Sequence, residues 1–186
     1  MRKNTLTIVL VVVVILLSIL LIGTALQNKK LRTTLPYLVP GEKIKYFDVT
    51  GANEELVKAE VLTKAPLSLI FIFNRKCSTC DGNILYWNRM AKLVKKDNVK
   101  IYGIILPGPT EMFNFKEKAK VSFDLFTPEN REKFKNRFRI KINLAQTILC
   151  VGDKVGLIKL GQLGGDDYNL FLTTIKNFNN KKGGTS

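Results

Sequence analysis

The sequence contains no histidine, and this absence excludes much of the side-chain chemistry that enzymes use near neutral pH. A Ser-His-Asp triad, a Cys-His pair and a histidine metal centre are all ruled out. The three cysteines are too few for a disulfide-stapled miniprotein or a four-cysteine zinc site. Acidic residues are also scarce, 15 against 30 Lys and Arg. The thiols are therefore the first candidates for reactive groups.

The apolar residues are concentrated near the start of the chain, where Thr5 to Leu26 contains no charged residue. As a helix this segment would be roughly 33 Å long, matching a bilayer core of about 30 Å. A cleaved signal peptide is the alternative, although its apolar region is usually only about 7–15 residues long. We predict an uncleaved transmembrane anchor at residues 5–26. Since basic residues flank both ends and little precedes the anchor, we place residues 1–4 in the cytoplasm and the remaining chain on the periplasmic side.

The excess of positive charge raises the question of nucleic-acid binding. Phe134 and Phe138 alternate with the densest group of basic residues, which are Arg131, Lys133, Lys135, Arg137, Arg139 and Lys141. No groove-reading motif accompanies these residues. We interpret them as the solvated face of a helix whose aromatic side chains point to the core, and we predict no nucleic-acid partner.

The remainder of the chain reads as a stalk at 27–37, one domain at 38–180 and a tail at 181–186. Strands are predicted at Ile44–Val49, Leu56–Leu62, Leu67–Phe73, Val99–Leu106, Val121–Phe126, Gln146–Val151 and Val155–Leu160. Helices are predicted to begin near Ser78, within 110–120, at Thr127 as N-cap and after Gly165. This order predicts an α/β domain with a mixed central sheet and helices on both faces.

Cys77-Ser78-Thr79-Cys80 is a C-x-x-C motif at the point where a buried strand is predicted to give way to a helix. A helix N-terminus favours a thiolate through its free N–H groups and dipole, and Arg75 and Lys76 add positive charge. We expect Cys77 to be exposed and nucleophilic, with Cys80 closing the disulfide. Such exchange needs two sulfurs and no histidine. An inert disulfide or half a metal site remains the alternative, while Cys150 in an apolar strand is typical of a buried free thiol.

A membrane anchor, a hairpin, strand–CxxC–helix and a final strand-hairpin-helix together resemble the tethered thioredoxin-like proteins of the TlpA/ResA kind. The same pattern is similar to the redoxin domains of the alkyl-hydroperoxide-reductase/thiol-specific-antioxidant family. The resemblance covers roughly 38–180 and is strongest over Phe73–Cys80 and Gln146–Lys154. It implies a thioredoxin-like three-layer fold, with Cys77 the nucleophile and Cys80 the resolving thiol of an exported disulfide oxidoreductase. Its partners would be exported protein thiols or disulfides and a redox partner in or outside the membrane.

Two places depart from the family pattern. The family usually has Trp one or two positions before the first Cys, where this chain has Arg75 and Lys76. A cis-Pro normally precedes the strand that begins at Gln146, where this chain has Ala145. Because a non-proline cis bond costs about 2.5–4 kcal/mol, we expect a trans bond and an altered substrate-facing loop. The residues predicted to shape the site are Arg75, Lys76, Ser78, Thr79, Asp81, Ala145 and Gln146; Asp81 could tune Cys80 or satisfy the helix start.

Three functions compete. The leading hypothesis is a membrane-tethered thiol–disulfide oxidoreductase, and the second is a non-catalytic thioredoxin-fold module that binds a partner at the membrane. A redoxin-type peroxidase usually has P-x-x-x-T-x-x-C, but Ile70 and Asn74 occupy the Pro and Thr positions before Cys77. A copper-delivery protein of this fold would need a wider cysteine spacing and a histidine. We predict no cofactor and no bound metal.

Overall fold

The computed structural model describes residues 2–34, 37–44, 47–51, 55–58, 65–73, 77–94, 99–106, 115–117, 119–140 and 144–183. The chain divides into two units, Met1–Pro36 and Tyr37–Ser186. The described helices and strands are, in chain order, α1 Arg2–Thr34, β1 Asp48–Gly51, β2 Leu56–Lys58, β3 Leu67–Phe73, α2 Ser78–Val94, β4 Val99–Ile105, β5 Asp124–Pro128, α3 Arg131–Arg137, β6 Gln146–Val151, β7 Lys154–Leu160 and α4 Gly165–Gly183.

The first unit is the helix α1, which has 33 residues. Its stretch Leu10–Leu31 is long and apolar enough to cross a membrane. A signal sequence near the N-terminus can have the same length and apolar composition. The helix continues to Thr34, so most of the segment predicted as a stalk is helical.

The second unit is built on a seven-stranded sheet with the order β2-β1-β5-β4-β3-β6-β7. Strands β3, β4 and β5 are parallel, whereas the other pairings are antiparallel. β3 lies between β4 and β6, and all seven of its residues are buried. A continuous apolar strand is what a central position covered on both faces requires. The predicted mixed sheet is thus confirmed.

Alternate residues of β3 face two separate cores, one on each side of the sheet. The odd-numbered residues Leu67, Leu69, Phe71 and Phe73 belong to a cluster with Trp87, Met90 and Val94 of α2 and Phe171 and Ile175 of α4. The even-numbered Ile70 and Ile72 belong to a second cluster with Leu38, Phe47, Phe134 and Phe138. We call these the α2 core and the α3 core. The predicted three-layer arrangement follows from them, and the two phenylalanines of the basic segment face the core as interpreted.

The start of α3 differs from the sequence-based expectation. Thr127 and Pro128 were expected to begin a helix, but they end β5, where they pair with Thr50 and Val49. Of the residues of β5, Asp124–Phe126 pair with β4 and Pro128 does not, so the missing N–H of the proline costs no hydrogen bond on that side. Asn130 is the N-cap of α3 instead, and its side chain accepts from the Lys133 N–H at 2.9 Å.

The remaining differences lie at segment ends. The N-terminal hairpin is present, with β1 beginning at Asp48. In the expected short helix, residues 115–117 and 119 are helical, whereas 110–114 and 118 lie outside the described residues. At the other end, α4 extends to Gly183, three residues into the predicted tail.

Adding a methyl group at Gly103 tests how closely β4 packs in the α2 core. A Cβ there would lie 2.5 Å from Cδ2 of Leu125 and 2.6 Å from Cε2 of Phe123. Overpacking of this kind should lower the free energy of unfolding of Gly103→Ala by about 1–3 kcal/mol. Urea unfolding of the full chain in detergent, followed by fluorescence of the single tryptophan, measures it. Gly165→Ala is the control and should not destabilise the protein, because no heavy atom lies within 4 Å of a Cβ at that position. Equal stability of the two variants would contradict the close packing of β4 at Gly103.

Candidate functional site

A disulfide joins Cys77 and Cys80 where the central strand gives way to α2. The two Cα atoms are 5.4 Å apart. Cys77 directly precedes the helix, and the Cys80 N–H donates to the Cys77 carbonyl oxygen at 3.1 Å. The motif therefore occupies the strand-to-helix junction expected from the sequence, and α2 begins at Ser78 as predicted.

The expectation that the first sulfur is exposed is wrong for this disulfide-bonded form. Cys77 is only 5% exposed and Cys80 only 3%. Both belong to the α2 core, together with Phe73, Ala145 and Leu163. The pair is placed at the edge of an apolar core, so the surrounding side chains exclude solvent from both sulfurs.

Thr79 supplies a polar contact to the first sulfur. Its Oγ1 lies 3.3 Å from Sγ of Cys77. A disulfide sulfur carries no proton, so the hydroxyl is the donor. The same donor would be available to a thiolate at Cys77 after reduction, when a charged acceptor would strengthen the hydrogen bond. Of the residues predicted to shape the site, Thr79 thus has the most direct contact with a sulfur in the described part of the chain.

Trp87 holds α2 against the strands that carry the site. Its ring stacks on Phe71 and on Phe73, with centroid distances of 5.1 and 5.3 Å. Its indole Nε1–H donates to Oγ1 of Thr147 in β6 at 2.8 Å. Trp87 is fully buried, so it packs the helix against the sheet and offers no surface to a substrate. Because Phe73 ends the strand before the motif, this stack fixes the start of the helix relative to the sheet.

Asn83 is a site residue that reasoning from the sequence missed. It is completely buried one turn after Cys80, and both ends of its amide are hydrogen-bonded. Its Nδ2 donates to the Gly161 carbonyl at 2.8 Å, and its Oδ1 accepts from the Leu163 N–H at 2.7 Å. The signal was present, since a polar residue lies on the buried face of an amphipathic helix four positions before Trp87.

Ala145 and Gln146 end up on opposite faces of the sheet. Ala145 is buried in the α2 core with the two cysteines, and its carbonyl accepts from the Gly161 N–H at 2.8 Å. The bond between Leu144 and Ala145 is trans, as expected. Gln146 pairs with Ile72, so its side chain lies on the α3 side of the sheet. Its buried Oε1 has no hydrogen-bond partner among the described residues. The structure therefore groups Ala145 with the disulfide and separates Gln146 from it.

The other predicted residues contribute less to the described geometry. Arg75 and Lys76 lie outside the described residues. Ser78 is the first residue of α2, and only its backbone is described. Asp81 is an exposed acid in the first turn, where a negative charge complements the helix dipole. This position favours a role at the helix start.

Cys150, the third cysteine, is buried in the α3 core, across the sheet from the disulfide. Burial raises the pKa of its thiol to about 12, because desolvation penalises the thiolate. Its environment matches the predicted buried free thiol. Within the described ranges, no three His, Cys, Asp or Glu side chains are grouped so as to hold a metal ion.

Comparison with known proteins shows which family this sequence matches. The sequence profile of the AhpC/TSA family matches residues 40–155. The chain belongs to the AhpC/TSA family. A search of the curated proteins finds no match. The family segment begins ahead of β1, includes the disulfide and Asn83, and ends at Val155 in β7.

Solved structures share the fold at low sequence identity. The thioredoxin domain of a thiol-disulfide oxidoreductase from Bacteroides vulgatus has 16% identity and a TM-score of 0.64, covering 74% of this chain and 99% of that one. Peroxidoxin BcpB from Mycobacterium tuberculosis has 14% identity and a TM-score of 0.63, covering 74% and 96%. BsSco, a member of the Sco family of cytochrome c oxidase assembly proteins, has 16% identity and a TM-score of 0.62, covering 76% and 96%. These matches confirm the thioredoxin-like fold, which carries more than one function.

The burial of Cys150 predicts slow alkylation of the native chain. With the Cys77–Cys80 disulfide intact, Cys150 is the free thiol among the three cysteines. A pKa of about 12 leaves roughly one thiol in 10⁴ ionised at pH 8. The iodoacetamide rate, followed by mass spectrometry, should be low at pH 8 and still be rising about tenfold per pH unit at pH 9.5. In urea the rate should level near the ordinary thiol pKa of about 8.5; a native chain that behaves like the urea sample would disprove the burial.

Proposed function

We propose that the protein is a membrane-tethered thiol–disulfide oxidoreductase that exchanges disulfides with exported proteins through Cys77 and Cys80. The observation that carries the proposal is the disulfide at the start of α2, directly after the buried central strand. Membership of the AhpC/TSA family and the oxidoreductases among proteins of the same fold support it. The absence of histidine is no obstacle, since exchange between thiols and disulfides uses sulfur alone.

The reaction needs one attacking and one resolving sulfur. In the reduced chain, the Cys77 thiolate attacks one sulfur of a substrate disulfide, forms a mixed disulfide and releases one substrate thiolate. The Cys80 thiolate then attacks Sγ of Cys77 and releases the second substrate thiolate. The two protons lost when the Cys77 and Cys80 thiols ionise are taken up by the two substrate thiolates. The substrate has thus gained two electrons and two protons, and the chain ends with the Cys77–Cys80 disulfide. The reverse sequence oxidises a substrate dithiol, and the relative stability of the two redox forms decides the direction.

The surroundings of Cys77 support its assignment as the attacking sulfur. It lies at the N-terminus of α2, where the helix dipole favours negative charge. The Thr79 hydroxyl is already 3.3 Å from its Sγ. Cys80 lies inside the first turn, where its N–H donates to the Cys77 carbonyl. The second sulfur is thereby held beside the first, as a resolving thiol must be.

Removing the resolving sulfur should trap the substrate. In Cys80→Ser, a mixed disulfide formed at Cys77 has no internal thiol to release it. We expect disulfide-linked adducts between full-length Cys80→Ser and exported proteins, which non-reducing electrophoresis separates and mass spectrometry assigns to Cys77. The double variant Cys77→Ser/Cys80→Ser should form none.

The buried Cys150 offers the matched control. Cys80→Ser/Cys150→Ser should trap the same adducts as Cys80→Ser, since Cys150 lies across the sheet from the disulfide. Absence of adducts from Cys80→Ser, in a chain that folds, would overturn the enzymatic proposal.

A non-catalytic partner-binding module is the second candidate, and the burial of the disulfide favours it. With Cys77 and Cys80 almost inaccessible, an inert structural disulfide would look the same. Ala145, in place of the proline that the family resemblance leads one to expect, is consistent with a changed substrate surface. The trapping experiment distinguishes the two candidate functions, because an inert cysteine pair yields no mixed disulfide.

The tether and its orientation form a separate part of the proposal. Leu10–Leu31 is long and apolar enough to span a bilayer, and we place the sheet-bearing unit outside the cytoplasm. Alkaline phosphatase fused after Ser186 should therefore be active, because that reporter folds only after export. The fusion should stay in the membrane fraction at full mass. A soluble, shortened product would indicate a cleaved signal peptide, and an inactive membrane-bound fusion the opposite orientation.

A further inference from the structure

The amide of Asn83 joins α2 to two other parts of the fold. We name Gly161–Leu163, the first three of the four residues between β7 and α4, the β7–α4 connection. Asn83 donates to the first residue of this connection and accepts from the last, at 2.8 and 2.7 Å. The asparagine is completely buried, so water does not compete for either hydrogen bond.

The connection in turn holds the segment before β6. Gly161 adopts a φ of +78°, a left-handed conformation suited to glycine, and its N–H donates to the Ala145 carbonyl at 2.8 Å. Leu163 is buried in the α2 core with Ala145 and the two cysteines. A continuous set of hydrogen bonds therefore links the helix that carries the disulfide to Ala145 through Asn83 and Gly161.

Asn83 also lies on the same side of the helix as Cys80. Residues three apart are neighbours on a helix surface, so the anchoring point lies one turn below the resolving sulfur. The Gly82 Cα faces the connection too, since a Cβ at that position would lie 3.1 Å from Nε2 of Gln162. The first turns of α2 thus approach the β7–α4 connection closely at Gly82 and are hydrogen-bonded to it at Asn83.

We propose that Asn83 is a positioning residue for the dithiol: its two hydrogen bonds hold the first turns of α2 so that Cys80 stays within bonding distance of Cys77. This inference rests on the proposed function and assigns a role to a residue outside the C-x-x-C motif. Disulfide closure within one chain is favoured when the two thiols are held close together before the bond forms. Loosening the turn should therefore weaken closure and slow the release of a mixed disulfide by Cys80.

The measurement is the equilibrium between the dithiol and the disulfide in glutathione buffers, using the full chain in detergent. Asn83→Ala should lower the equilibrium constant for disulfide formation roughly fivefold or more, the size expected when one or two buried hydrogen bonds no longer organise the turn.

The matched control is Asn88→Ala in the same helix. The side-chain amide of Asn88 is also hydrogen-bonded at both ends. Its Nδ2 donates to the Lys120 carbonyl at 3.1 Å, and its Oδ1 accepts from the Ser122 N–H at 2.8 Å. The residues that Asn88 contacts, Lys120 and Ser122, are distant in sequence from Cys77 and Cys80. Asn88→Ala should leave the equilibrium constant within about twofold of the native value, since its hydrogen bonds are solvent-exposed and lie beyond the first turns of α2.

A second variant keeps the proposal testable if Asn83→Ala does not fold. In Asn83→Asp, a protonated carboxyl can donate to Gly161 and accept from Leu163, as the amide does, but a carboxylate cannot donate. Burial at this position raises the pKa of the introduced carboxyl, because desolvation penalises its charged form. The equilibrium constant of Asn83→Asp should therefore equal the native value at pH 5 and fall below it at pH 8, each compared with the native chain at the same pH.

The outcomes separate the two proposals. An unchanged constant in Asn83→Ala, an equal shift in both alanine variants, or a pH-independent ratio in Asn83→Asp would overturn the role of Asn83 alone. A native pair that does not exchange with glutathione would contradict the oxidoreductase proposal and this inference together.

Discussion

The attachment of α2 to the sheet through Trp87 is the interaction on which the candidate site depends. The indole fills the space over Phe71 and Phe73 and satisfies its own polar group on Thr147, so a large apolar side chain is buried without an orphaned donor. Truncating a buried aromatic side chain typically costs about 3–5 kcal/mol. Phe73 is both a wall of this stack and the last residue of the central strand. Because the stack holds Phe73 in place, it also sets the position at which the chain enters the disulfide-bearing helix.

Much of this fold was readable from local patterns, for identifiable reasons. The run Leu67–Phe73 is apolar at every position, which only a strand covered on both faces tolerates, and it became the buried β3. The apolar residues after Cys80 recur at helical spacing, so α2 was predictable with its start. Gly152 turns between β6 and β7 with φ of +56°, and a tight turn between two strand-forming runs is a short-range signal.

The features that escaped prediction depend on partners distant in the chain. Thr127 and Pro128 have the chemistry of a helix start, but pairing with β1, nearly 80 residues earlier, made them the end of a strand. Asn83 was passed over because its importance comes from the carbonyl of Gly161 and the N–H of Leu163. The motif predicted where the sulfurs would lie. It did not predict their burial, because Ala145 and Leu163, which share their core, come from the far end of the domain.

The location of Cys150 has a consequence for oxidative folding. Three thiols can pair in three ways, and in an oxidising compartment two of those pairings would be errors. In the folded domain the central sheet stands between Cys150 and the other two sulfurs, and burial keeps its thiol protonated. Once β3 and β6 have paired, the third cysteine can neither compete for Cys77 nor capture an oxidised intermediate. The sheet thereby acts as a barrier to disulfide scrambling. The protein can keep a third, unpaired cysteine because its thiol is not reactive.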